Sequence, residues 1–450
     1  GATTSTGLRQ ERAQADFVTN LGQGLFPGIT NFASATQTGS ANGQSLTKTL
    51  SYYAQEEVLA LDEALMLTAA VNAERASTNG DPKKFYAFPK FAASYRLPFV
   101  VPSVDNVKLR AAYGRAGNRV PSNYKYTFLT SVPYAGVTGL RPSAIVGLPN
   151  VRPEVTAETE GGVDAQFLNG RVGLEFTKYR KVTSDLVLLA NLAPTTGFTT
   201  QTINGGKLQN TGTEMSLRLV PLPQSYPFQW SSTTTYSANR SLVTELPVPG
   251  FLAGNLFSER YGAVKVQQGY PNGVVVAFNG RDPDGLRHEQ FYGPSEPDFQ
   301  MGFNNELTYG PVRLTSLLDW HKGGWVANLT NSYFDFNIPG GSLADTAGVR
   351  QRAADFAAGK PVYLERATFL KLREVTLSYT VKEEWASILS RGATKDVKLE
   401  LSGRNLKTWT KYTGYDPEVS NFGNQALGRI QDVAPFPPSR TFFLSLITNF

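Results

Sequence analysis

The sequence predicts an all-β chain whose strands build a transmembrane antiparallel β-barrel, with short turns at one end and long loops at the other. Three observations carry this. About thirteen segments alternate apolar and polar residues over about 8 to 12 positions, the length a bilayer-crossing strand needs and longer than ordinary globular strands. The connections between them alternate in length, short at every second position and mostly long in between. No run of roughly eighteen apolar residues occurs, so no helical span is encoded. The mildly negative mean hydropathy is what strands with one lipid face and one wet face average to.

Taken in order, a short polar, strand-like piece at 8–18 leads into Gly/Ser/Thr/Asn-rich sequence to about Gly43, which reads as loop. In Thr47–Val58, Leu50, Tyr52, Ala54 and Val58 oppose Ser51, Gln55 and Glu57. Leu65–Arg75 and Val107–Gly114 alternate in the same way, and Phe85–Arg96 does so more weakly around Pro89. Thr159–Leu168 and Arg171–Tyr179 flank Asn169-Gly170, a pair suited to the positive φ angles of a type I′ hairpin turn. Thr213–Leu219 and the Thr/Ser-rich Phe228–Ala238 follow. Gln300–Tyr309 and Val312–Trp320 form a second hairpin across Gly310-Pro311. Phe369–Thr380 changes phase between Leu372 and Val375, which predicts a bulge. Val397–Asn405 and Arg440–Phe450 complete the set. The apolar faces are expected to meet lipid and the charged faces a hydrated interior.

Composition narrows the chemistry. The 450 residues contain no cysteine and two histidines, His288 and His321. Disulfides, thiolate metal sites, cysteine nucleophiles and multi-histidine metal centres are therefore excluded. A formal charge of +6 without a concentrated basic run gives no support to nucleic-acid binding. No nucleophile elbow, phosphate-binding loop or zinc-protease motif is present. The interior carboxylates pair with basic residues across neighbouring strands, so no enzyme is expected, and no cofactor. Asp282 and Asp284 begin a Ca²⁺-loop pattern but lack its downstream Glu, so they read as a turn and only weakly as a metal site. The chain opens at Gly1 without initiator Met or leader pattern, as an internal or processed segment would.

The last strand ends on an aromatic residue, with Phe442, Leu444, Leu446 and Phe450 on one face. This resembles the closing-strand signature of outer-membrane barrels. Longer stretches extend the likeness: Val107–Asn118, Arg152–Glu160, Gly162–Asp164, Phe167–Arg171, Thr183–Leu186, Asn210–Glu214, Gln268–Pro271, Phe369–Tyr379 and Ser402–Pro417. In their order along nearly the whole chain they resemble the SusC/RagA-like TonB-dependent outer-membrane transporters. The resemblance implies a barrel of about 22 strands, of which residues 1–450 would be the C-terminal part, without the plug domain and TonB box. An open sheet of about thirteen strands leaves two unpaired edges, so further strands are expected from elsewhere. It also implies the outer membrane of a Gram-negative bacterium, a SusD-like lipoprotein lid, and the TonB complex acting through an N-terminal part.

The function so implied is import of oligomeric nutrients, either oligosaccharides or peptides. The alternative is a structural or docking barrel of an outer-membrane assembly, since fold alone does not fix function. The aromatics near strand tops, Trp325, Tyr333, Phe334, Trp409, Tyr412 and Tyr415, together with Asp416, are the candidate ligand contacts. Their competing role is loop packing or the aromatic girdle at the lipid interface, the role read for Trp320.

Overall fold

The structure, a computed structural model, describes residues 1–98, 101–134, 137–223, 225–253, 259–281, 284–285, 287–337, 346–389, 391–394, 396–418, 420 and 430–449. Its main sheet has fourteen strands: β1 Ala2–Gln23, β2 Gln37–Ala60, β3 Leu65–Ala76, β4 Tyr86–Arg96, β5 Val104–Asn118, β6 Glu154–Phe167, β7 Val172–Ser184, β8 Lys207–Leu219, β9 Phe228–Glu245, β10 Pro297–Tyr309, β11 Val312–Gly323, β12 Phe369–Thr380, β13 Asp396–Thr410 and β14 Thr441–Asn449. Hydrogen-bonded order follows chain order from first to last, without a crossover. Short links such as Gly310-Pro311 alternate with long ones such as 324–368, as the sequence predicts.

The described residues divide into two compact units. The first comprises residues 1–93, 112–157 and 183–206. In it β1 pairs with β2 residue by residue, from Ala2 opposite Val58 to Gln23 opposite Gln37. Much of this hairpin lies in sequence read as a polar fragment and a loop. Ladder bonds need no apolar face, and beyond the lipid both faces of a strand are wet. The period-2 contrast therefore fades while the strand continues. The same cause makes the predicted β6 to β9 too short at the long-loop end.

The second unit comprises residues 94–111, 158–182 and 207–450. Its two predicted hairpins are present, one with a different turn. At 168–171 the left-handed residues are Leu168, Asn169 and Gly170, so the link is wider than a two-residue turn. Asp105 holds it, accepting from the backbone N–H of Asn169 at 3.1 Å and of Gly170 at 2.7 Å.

The faces are sorted inside out. Phe442, Leu444 and Leu446 are 69%, 80% and 67% exposed, while Lys371, Ser378 and Ser402 are 4%, 4% and 7% exposed. Directly opposed residues share a face, so the register traces rows across the wall. One row runs Phe228, Tyr309, Val312, Tyr379, Leu399, Leu446; another runs Tyr236, Met301, Trp320, Leu370, Trp409. Eight steps separate the rows along β9 and β11, about 27 Å of strand and roughly 20 Å of depth at the usual barrel tilt. These are two girdles rich in aromatics, bounding a mainly apolar belt whose middle row also carries Ser232, Asn305 and Ser316.

The dry core lies in the long loops. Val264, Val275, Ala277, Leu364 and Ile430 pack together, with Tyr292 and Trp325 against them. Short strands at Phe251–Ala253, Ala263–Val266, Val274–Arg281 and Arg287–Pro294 form one small sheet. Trp325–Asn328, Leu364–Arg366 and Gln431–Asp432 form another. Helices α1 (Leu329–Asn337) and α2 (Thr346–Ala357) complete this cap.

Replacing Val375, which stands on the outward face midway between the two rows, by Arg is expected to destabilise the protein by about 2–4 kcal/mol in lipid vesicles. Urea unfolding in vesicles would measure this. A change below 0.5 kcal/mol would mean the belt is misplaced.

Candidate functional site

The site begins with the predicted bulge in β12. Leu318 pairs with Leu372 and Leu317 with Glu374 on one side, and Lys407 pairs with Leu372 and Arg404 with Glu374 on the other. Arg373 is passed over by both ladders. The interior face accordingly changes from odd positions (Phe369, Lys371) to even ones (Thr376, Ser378), which are buried. The extra residue puts Lys371, Arg373 and Glu374 on one side of the wall, where Lys371 and Arg373 reach Asp416 and Glu418 and Glu374 pairs with Arg404.

Lys371 Nζ donates to Asp416 Oδ1 at 2.7 Å and Oδ2 at 2.8 Å, and to Glu418 Oε2 at 2.7 Å. Arg373 grips Glu418 with two nitrogens, each at 2.7 Å. It also donates to Asp319 Oδ2 through Nε at 2.9 Å. His321 Nε2 lies 3.2 Å from Asp319 Oδ1, its ring stacked on Phe369 at 4.5 Å. Ligand atoms of Asp319, His321 and Glu418 converge within 4.8 Å. Arg373 already bridges both carboxylates, so the geometry is that of an ion-pair clasp rather than a metal centre. Burial pushes the Glu418 carboxyl upward. Hydrogen bonds and charge from Arg373 and Lys371 outweigh it and hold the group at about 2.

A second anchor lies deeper in the cap. The buried Asp432 carboxylate accepts from Thr330 Oγ1 and from Tyr412 Oη. Burial raises the Asp432 carboxyl, only partly offset by these bonds, and burial beside Asp432 raises the Tyr412 hydroxyl. Glu365 accepts from Asn328 Nδ2 at 2.8 Å, Thr413 Oγ1 at 2.7 Å and Thr413 N at 2.8 Å. The loop is thus tied to the sheet wall at one point and to α1 at another.

Between α1 and α2 lies a cavity of about 520 Å³. Leu329, Ser332, Tyr333 and Phe336 reach it from α1 at helical spacing, Phe356 from α2, and Arg260 and Tyr261 from the preceding loop. The Arg260 guanidinium sits 3.6 Å over the Phe356 ring and donates to Phe356 O at 2.6 Å.

The structure distributes the candidate residues among several roles. Tyr333, Phe334 and Tyr415 come together, with ring centroids 6.5 Å and 6.3 Å apart, and Tyr333 and Tyr415 are exposed. Trp325 packs on the cap core, donates to Tyr292 O at 3.1 Å and carries Arg366 over its ring. Tyr412 and Asp416 are buried in the two anchors. Trp409 stands in the upper girdle row. Phe442, Leu444 and Leu446 face outward; Phe450 and Asp282 lie outside the described residues, and Asp284 is exposed. Sequence reasoning missed Lys371, Arg373, Glu418 and Asp432. The first two were signalled by two cations at alternate positions beside the phase change, whereas the loop acids had no periodic signal.

Lys371→Ala leaves Asp416 buried without its cation, so the loop should lose about 3–5 kcal/mol of local stability. Hydrogen exchange over 411–418 would read this, and protection equal to wild type would show the clasp to be idle. The clasp should also respond to acid with a defined sign. Because the Glu418 pKa is depressed, its contribution is complete above pH 4.5 and is lost as pH falls toward about 2. Proteolytic nicking of 411–420 should therefore rise only below about pH 4.

Belt, girdles and inverted faces define an outer-membrane β-barrel protein. The family model described as TonB dependent receptor-like, beta-barrel matches residues 2–406, and the chain belongs to that family. It is similar to TonB-dependent receptor P26 of Formosa agariphila, 27% identical over 87% of this chain and 45% of that protein. It is also similar to TonB-dependent receptor SusC of Bacteroides thetaiotaomicron, 23% identical over 81% of this chain and 40% of SusC. The structure of the RagAB peptide importer in its open-open state has the same fold, with a TM-score of 0.77 at 18% identity over 100% of this chain and 52% of that one. The chain thus spans about half the length of the relatives it matches, and its place is the outer membrane of a Gram-negative bacterium.

Proposed function

We propose that this chain forms the C-terminal wall and extracellular cap of a TonB-dependent importer of oligomeric nutrients, oligosaccharides or peptides. It would work under a SusD-like lipoprotein lid and be driven by TonB through the rest of the protein. One observation carries the reading: an ordered loop cap, clasped to the interior wall, presents the aromatic group Tyr333, Phe334 and Tyr415. Stacking on rings and apolar side chains suits sugars and peptides alike. The similarity to SusC supports the lid and the energy coupling. Import involves no covalent chemistry, and the charged side chains of the wall serve as ion pairs.

The test uses the full-length protein in cells given fluorescent oligosaccharides or peptides. Uptake of the cognate oligomer should stop on loss of TonB. It should fall about tenfold in a Tyr333→Ala/Tyr415→Ala variant, the loss expected from removing one binding hot spot. Uptake that persists undiminished without TonB would refute the importer reading.

A further inference from the structure

The gap between the two cap helices is written into their sequences. On α1, Leu329, Ser332, Tyr333 and Phe336 recur at i, i+3, i+4 and i+7 and so share one face. On α2, Ala353, Phe356 and Ala357 do the same at i, i+3 and i+4. Rings on α1 therefore look across at two methyl groups on α2. The volume that larger residues at 353 and 357 would fill stays open as the cavity of about 520 Å³. Leu329 and Phe356 are buried at its base, whereas Tyr333 and Phe336 are 55% and 49% exposed at its mouth. Phe356 is held by Tyr261 and Phe336, with ring centroids 4.9 Å and 5.6 Å away.

A charge pair keeps this gap open. Arg352 on α2 donates to both carboxylate oxygens of Asp335 on α1, at 2.8 Å and 2.9 Å, and the Tyr363 hydroxyl donates to the same carboxylate at 2.9 Å. The Asp335 side chain is fully buried. A bidentate pair fixes both spacing and orientation, so the helices are set before a ligand enters and binding does not have to order them. The lining then selects the occupant. The cavity volume falls in the range of small-molecule sites, and most of its wall is ring, methyl or isobutyl surface. Its one cation is already engaged: Arg260 lies on the Phe356 ring and donates to Phe356 O. Among the described residues no Asp, Glu, Asn or Gln lines it. A sugar ring placed there would bury several hydroxyls against a wall with few acceptors, which is costly. An apolar side chain brings no polar group to satisfy and gains from leaving water and packing on the rings.

We infer that the pocket between α1 and α2 is a subsite for one apolar side chain, aromatic or leucine-like, of an imported peptide. This rests on the importer reading and narrows its substrate from oligomers in general to peptides. Tyr333 belongs both to the pocket and to the group formed with Phe334 and Tyr415. The peptide main chain lies across that group while one of its side chains enters between the helices.

The experiment measures binding to the full-length protein in detergent by fluorescence anisotropy. The probes are a labelled Gly/Ser oligopeptide with one central Phe, its counterpart with Ser in place of that Phe, and a labelled neutral maltooligosaccharide. Wild type should bind the Phe peptide about tenfold more tightly than the Ser peptide, the effect of one buried anchor. Ala353→Leu/Ala357→Leu fills the pocket with good helix formers; it should abolish that preference and leave the Ser-peptide affinity unchanged. Ala353→Ser/Ala357→Ser keeps the room and should keep the preference. Equal affinity of wild type for the two peptides would overturn the proposal. A preference that survives filling, or is lost equally in the Ser variant, would do the same. Maltooligosaccharide binding that is lost on filling would put a sugar in the pocket and overturn the peptide assignment. Binding in detergent requires no TonB, so failure here leaves the importer reading to its own uptake test.

Discussion

Every backbone N–H and C=O that crosses hydrocarbon must be bonded within the protein, because lipid offers no partner. That constraint produces ladder after ladder in chain order and leaves the pleat as the only way to present two chemistries. One side of each strand then faces oil and the other faces water. The rows traced by the register are the result: Phe228 to Leu446 at one level and Tyr236 to Trp409 at the other. The same chain has two interiors of opposite kind. The wall buries Lys371, Thr376, Ser378 and Ser402, while the loop cap buries Val264, Val275 and Leu364.

The wall and cap meet through charge rather than through oil, and the bulge at Arg373 is the reason they can. In a regular strand, the odd positions Phe369, Lys371 and Arg373 would share the interior face and the even positions Glu374, Thr376 and Ser378 would face lipid. One extra residue moves Glu374, Thr376 and Ser378 inward, and Val375, Leu377 and Tyr379 outward, without turning Lys371 or Arg373 away. Arg373 is freed from both ladders and can serve Asp319 on β11 and Glu418 on the loop at once. A buried lysine between two carboxylates is seldom worth much net stability. Its value here is positional, since breaking it leaves a buried charge and keeping it fixes where the loop sits.

The sequence disclosed most where the membrane imposes contrast. Strands within the belt were legible from alternation, the bulge from a change of phase, and both hairpins from their turn residues. Alternation failed where water bathes both faces, which is why Ala2–Gln23 and the start of β2 read as loop. The cap was not legible, because its short strands owe their shape to partners distant in sequence, such as Ala327 beside both Leu364 and Gln431. Candidate aromatics were recognised as a class, but alternation could not sort them. Tyr333 and Tyr415 are exposed near one another, Trp325 and Tyr412 are structural, and Trp409 belongs to the girdle.

Trp409 and Asp416 show how closely these roles adjoin. They lie seven residues apart, yet one stands on the lipid side of the wall and the other is buried against its inner side, bonded to Lys371. The pleat decides the first and the buried cation the second. Moving β13 by one register step would put Trp409 into the interior and turn Lys407 away from the lipid. On β12 the bulge that serves the interior clasp changes the phase, so that Leu370 and Leu372 face outward on one side of it and Val375 and Leu377 on the other, whereas on β13 Leu399, Leu401, Lys407 and Trp409 keep one phase. One ladder therefore carries both the interior clasp and the outward row, on either side of the irregularity at Arg373 and Asn405.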